Sequence, residues 1–216
     1  MKIPHWPILP ASLIIASSLI SAPAMAASVK NISHRVDASN LESVEFDISV
    51  GEIVIEVYDG EEIQLEIRLE AQRSWFSLRK RNIEDIELEV GGSGTRVFLG
   101  IDERNIEQNW RVMLPAKLAV DLNVGVGDIR IEEFSNNLQM EVGVGAVRVE
   151  VNGTDYAEIR LSAGVGDTSI RGFDNHTDNE RSFVSAESYY HGKGELEMEM
   201  EMDIEVGVGD VEVINR

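Results

Sequence analysis

From Ala27 onward the chain alternates apolar and polar residues, and the alternation breaks in the same way again and again. In "LNVGVGDIRIE" one apolar set is Leu122, Val124 and Val126, and a second is Ile129 and Ile131. A period of two predicts strands. Between Val126 and Ile129 the phase slips by one residue, which in a straight strand would turn the second half's side chains onto the opposite face. A corner at Gly127-Asp128 removes the conflict, because both halves then point to one interior.

The slip recurs from Val144 to Val147, Val165 to Thr168, Val208 to Val211, and Val50 to Ile53. Gly51, Gly127, Gly145, Gly166 and Gly209 therefore occupy one structural position, a tight corner of the kind that asks for positive φ. The next residue is Glu52, Asp128, Ala146, Asp167 or Asp210, in keeping with the backbone-bonding chemistry of acidic turns. Neighbouring copies lie 18 and 21 residues apart, from 127 to 145 to 166. That period predicts an all-β fold, a parallel β-solenoid or β-helix-like stack of short strands with Gly-acid corners and about 20 residues per coil.

Two segments depart from the pattern. Residues 172–194 read as a loop inserted between coils, with Gly194 at most a degenerate corner. Residues 71–85 carry the one trace of helical spacing and read as a cap over the end of the stack. After residue 194, Leu196, Met198, Met200, Met202, Ile204, Val206 and Val208 make one apolar face and the intervening acids the other. Methionine at strand spacing reads as core, and the acids as a solvated face that discourages edge-to-edge pairing.

The first residues belong to a different class of sequence. Lys2, an apolar run from Ile8 to Ile20 and the small-residue ending Ala24-Met25-Ala26 have the form of a secretory signal, residues 1–26, leaving one domain over 27–216. The apolar run is shorter than the roughly 20 residues a membrane-spanning helix needs, and no second run of that length follows. The expected location is the periplasm or the exterior, with no integral membrane segment in the mature chain. The formal net charge is −20; removing Lys2, the one charged residue of the signal, leaves −21. Such a charge excludes nucleic acid and anionic lipid as general partners. There is no cysteine, so an exported chain must find its stability in its core or in association.

The repeated corners, preceded by "WRVMLPAKLAVDLNVGVGDIRIE", resemble the bacterial putative-adhesin β-repeat family, also called toastrack. The carrying residues are the pair Leu114-Pro115, the turn Ala116-Lys117 and the corner Gly127-Asp128-Ile129. The likeness is best from about Trp110 to Gly172 and again at the C-terminus. It implies an all-β repeat fold and an adhesin-like role, in a family largely of unknown function.

The chemistry-bearing residues are few. A strand follows each glycine pair, so the Gly-x-Gly does not open a helix onto a pyrophosphate as nucleotide binding requires. No nucleophile elbow occurs, and the histidines beyond the signal (His34, His176 and His191) have no ligand spacing. The expectation is no catalytic residue, no cofactor and no resident metal. Calcium has one weak candidate site in "FDNHTDNE", at Asp174, Asp178 and Glu180. Arg130, Arg148 and Arg171 follow the corners at related positions. They would serve a carbohydrate-active enzyme, a lyase or hydrolase, only if they converged with carboxylates in a cleft; otherwise they pair across coils. Two features read as partner surface. Gly125, Gly143, Gly164 and Gly207 lie in the outward phase, in register with Asn123, Glu141, Ser162 and Glu205, and would stack into a bare strip. Arg73, Trp75, Phe76, Arg79, Lys80 and Arg81 gather cation and aromatic in an acidic chain. The function expected is an exported, non-enzymatic binding or structural module of the cell envelope that meets an envelope polysaccharide or protein surface. The alternatives are the enzyme just described and an accessory of envelope stress signalling.

Overall fold

The computed structural model describes residues 28–71, 82–103, 105–153, 156–173, 177–182, 184–192 and 200–216. The alternating segments are strands: β1 Val29–Asp37, β2 Ser43–Tyr58, β3 Glu62–Ala71, β4 Glu89–Ser93, β5 Arg96–Ile101, β6 Ile106–Pro115, β7 Ala119–Phe134, β8 Leu138–Val144, β9 Val147–Val151, β10 Tyr156–Val165, β11 Thr168–Arg171, β12 Thr177–Arg181, β13 Ala186–His191, β14 Met200–Val208 and β15 Val211–Asn215. One 3-10 turn, Ile83–Asp85, is the only helical element among the described residues.

All fifteen strands join in one open sheet of mixed orientation. It is folded along a line of corners into two leaves. Residues 43–48 of β2 pair with β5, while residues 51–58 pair with β6, and β7 accompanies β2 through the turn. The first leaf runs β4-β5-β2-β7-β8-β14-β10-β13-β12 and the second β1-β3-β6-β2-β7-β9-β15-β11. The middle of each leaf is parallel; the outer pairs β4/β5, β10/β13, β12/β13, β1/β3 and β3/β6 are antiparallel. The leaves close on one apolar core, where Phe46 of the first meets Trp110 of the second edge to face, with ring centroids 6.2 Å apart. Tyr156 spans the same interior and donates its hydroxyl to the Asn136 carbonyl; burial pushes its phenol above the usual range.

The strand–corner–strand units, termed coils below, do not stack in sequence order. β14/β15, the last coil, lies between β8/β9 and β10/β11, parallel to both. The reason is the segment expected as an inserted loop. Its described residues form the hairpin of β12 and β13, and β13 pairs antiparallel with β10 from Glu158 to Ala163. That edge of β10 is taken, so the final coil can pair only on the other side.

Of the expected cap, residues 71–85, the described stretch 82–85 holds the 3-10 turn against β1 and β3 that puts Ile83 into the core, and Ile86 just after it is buried as well. Residues 1–27, 72–81 and 193–199, and with them the secretory signal, Gly194, Leu196 and Met198, lie outside the described residues. Met202 is buried, as core spacing requires, and Met200 partly so. β7 carries a second phase slip that the alternation does not mark: Glu133 takes φ +59° at its end, and the resulting bulge returns Phe134 to the core.

Candidate functional site

The corners form a column in the order Gly51, Gly127, Gly145, Gly209, Gly166. Each glycine packs its Cα against the carbonyl of the strand beside it. A methyl group would lie 1.7 Å from the Gly51 oxygen at Gly127, 1.7 Å from the Gly127 oxygen at Gly145, and 1.8 Å from the Gly209 oxygen at Gly166. Four of the five also have φ between +145° and +156°. Close approach of the backbones, more than the turn itself, demands glycine here. Beside the column the aspartates bond forward to the next coil. Asp128 Oδ1 accepts from the Ala146 N–H at 3.1 Å, and Asp210 Oδ1 from the Asp167 N–H at 2.9 Å.

The outward glycines Gly125, Gly143, Gly207 and Gly164 make a second column, with Ser49 standing where the β2 coil has no glycine. A methyl group on them would meet the neighbouring carbonyl oxygen at 2.4 to 2.7 Å. These five residues are the floor of a groove of about 780 Å³ that crosses the strands on the outside of the first leaf. One wall is the row Asp47, Asn123, Glu141, Glu205 and Ser162, in register from strand to strand.

Beside the floor the structure corrects the expected orientation of the valines. Val126, Val144, Val208 and Val165 do not point into the core; they are 47%, 45%, 46% and 49% exposed. Four residues, Gly125 to Asp128, carry the chain through the corner: the inward phase ends at Val124 and resumes at Ile129, both buried. The valines are left on the outer rim, stacked in register with Val50. Periodicity does not distinguish them from core residues, because the residue before the corner carries the apolar signature of the strand it ends. Asp47 and Ser49 were missed as well, although "SVGE" at Ser49–Glu52 matches "GVGD" at Gly125–Asp128 position by position.

A second groove of about 460 Å³ lies across the corner, lined by Glu52, Asp128, Asp210, Asp167 and the residues that follow them. Here the arginines and carboxylates bind one another. Arg148 reaches Glu150 at 3.2 Å and also pairs with Glu212, Arg171 reaches Glu212 at 3.0 Å, and Arg216 reaches Glu150 at 2.8 Å. Arg130 stands beside Arg148 with no ion pair among the described residues. The arrangement ties coils together and engages Arg148 and Arg171, while Glu52, Asp128, Asp210 and Arg130 line the same groove without an ion pair among the described residues.

The cluster of Arg73, Trp75, Phe76, Arg79, Lys80 and Arg81 lies outside the described residues, as does Asp174. Asp178 and Glu180 sit on β12, where they pair in register with Tyr189 and Glu187. Among the described residues no group of three or more acidic, histidine or cysteine side chains is placed to hold a metal. Among them, too, no helix is long and apolar enough to cross a membrane.

No protein-family model matches the sequence, and no curated protein matches it significantly. Among solved structures, a putative cell adhesion protein from Clostridium sporogenes is similar over 88% of this chain and 100% of its own, with a TM-score of 0.53 and 15% identity. The chain shares the fold of that protein. A putative adhesin from Bacteroides fragilis aligns with 85% of this chain and 97% of its own at 12% identity and a TM-score of 0.25. One from Parabacteroides merdae aligns with 85% and 96% at 9% identity and a TM-score of 0.24. Within that fold the floor of the groove is built on the repeated Gly-Val-Gly.

Proposed function

We propose that the chain is a non-enzymatic, adhesin-like binding module of the bacterial cell envelope. Residues 1–26 export it, and an envelope polysaccharide or protein surface docks across the corner. The parallel middle of the sheet acts as a short solenoid that repeats one contact along its length. The observation that carries this reading is the groove with its floor of four glycines and Ser49 beside a line of outward valines, in register across five coils. Enzymatic use of the outer face is disfavoured, because Arg148 and Arg171 are already engaged by Glu150 and Glu212. The adhesin label of the Clostridium sporogenes protein, which shares the fold, agrees with the same reading.

The test is co-sedimentation of the chain with isolated peptidoglycan, outer-membrane vesicles and capsular polysaccharide, with calcium and with chelator. An Asn123→Tyr/Ser162→Tyr variant fills the groove from its wall without touching the core, and an Arg79/Lys80/Arg81→Ala variant removes the basic cluster. The expected result is saturable binding to one fraction that the groove-filling variant loses. Absence of saturable binding to all three fractions would overturn the proposal.

A further inference from the structure

We infer that the corner face accepts a basic amphipathic segment of a partner polypeptide, with its apolar side on the valines and its lysines or arginines on the acids to either side. The inference rests on the binding-module reading and names the partner's chemistry. It starts from the valine stripe. Half-exposed β-branched side chains at one position of four successive coils, with Val50 continuing the line, are an apolar surface built by the repeat.

What brackets the stripe sets the occupant. On one side stand Asp47, Glu141 and Glu205, and on the other Glu52, Asp128 and Asp210. None of these six carboxylates has a cation within salt-bridge distance among the described residues. One row further out, the acids are neutralised within the chain. Arg96 lies 3.7 Å from Glu45 and 3.8 Å from Asp121, Arg160 3.0 Å from Glu158 and 3.8 Å from Asp203, and Arg148 pairs with Glu212. Negative charge without an ion pair is therefore concentrated beside the apolar line, six carboxylates against the single unpaired Arg130 in the next row among the described residues. An apolar centre with acids on both flanks complements an amphipathic helix whose apolar stripe is bordered on both sides by Lys or Arg.

The dimensions agree. Five strands at ~4.8 Å spacing give a stripe ~19 Å long. That is the length of a helix of roughly 13 residues. Other occupants fit less well. A second copy of this chain would bring the same acids against these, and anionic polymers and membranes are repelled by the same charge. A neutral glycan finds no aromatic ring among the groove's lining residues to stack on.

The test is fluorescence anisotropy with a labelled Leu/Lys peptide of about 14 residues, leucines at helical spacing, against a peptide of the same composition in scrambled order. The ordered peptide is expected to bind at least tenfold tighter. Val144→Thr/Val208→Thr should weaken it about fivefold with the melting temperature unchanged. Glu141→Gln/Glu205→Gln should weaken it and flatten its salt dependence, while Glu56→Gln/Glu66→Gln, an equal change of charge on the second leaf, should leave it unaltered. Equal binding of both peptides would overturn the inference, as would equal effects of the groove and second-leaf variants, since either means diffuse attraction to an acidic chain. If the peptide fails while the groove-filling variant still abolishes binding to an envelope fraction, the inference falls and the binding module stands.

Discussion

At the scale of single residues, the corner column and the rim valines obey different constraints. Gly127→Ala would place a methyl group 1.7 Å from a backbone oxygen that the whole stack holds in place, so the backbone must move at two coils. The expected loss is about 4 kcal/mol or more, enough to abolish a cooperative thermal transition. Gly94, at φ +63° in the β4–β5 turn, has nothing within 4 Å of its missing Cβ. Gly94→Ala pays only for left-handed backbone, about 1 kcal/mol, and should still melt cooperatively. Thermal denaturation of the two variants checks the contrast. The glycine column can be read from the sequence because its residue type recurs with a phase slip. The outward turn of Val126, Val144, Val165 and Val208 cannot, because an apolar residue beside a corner satisfies both readings until the backbone direction is known. The groove's acids are visible as letters, but which remain unpaired depends on the reach of Arg96 and Arg160.

At the scale of elements, the last coil is a keystone with no counterpart in linear order. β14/β15 contributes Met202, Ile204, Val206, Val211 and Val213 to the core and is paired on both sides. Ile204→Ala is therefore expected to cost 2–5 kcal/mol, roughly the loss of a fully buried aliphatic side chain with little room to collapse. Chemical denaturation should show it as a lower midpoint with unchanged slope. An exposed substitution on the same strand, Glu201→Gln, should shift the midpoint by less than about 0.5 kcal/mol. The strands themselves were legible, since alternation marks them wherever one face is buried. Their order was not. Val142, Val206 and Ala163 present equivalent inward positions to any parallel neighbour, so periodicity matches each coil with every other. What breaks the tie is Tyr190 and its strand, with Ser188 bonding to Thr168 and Asn179 across the end of the core. The sequence of that hairpin is too polar and too interrupted for a strand reading.

At the scale of the molecule, a formal charge of −20 presses the fold apart while the ion pairs that oppose it lie mostly at the surface. Screening weakens the many like-charge terms more than the few close pairs, whose individual worth is about 0–1 kcal/mol. The melting temperature is therefore expected to rise between about 0.01 M and 0.5 M sodium chloride, where the Debye length falls from ~30 Å to a few Å. Calorimetry across that range checks it. The position of the last coil also bears on how the protein is made. A ribosome completes β10 and β11 before β14 and β15, their parallel neighbours among the described residues, have been translated, and domains generally fold as units. β2, β6 and β7 can assemble as they emerge. The far half of the stack therefore cannot complete its pairing until Met200 to Asn215 have been made, and the order in which the strands are synthesised differs from the order in which they lie.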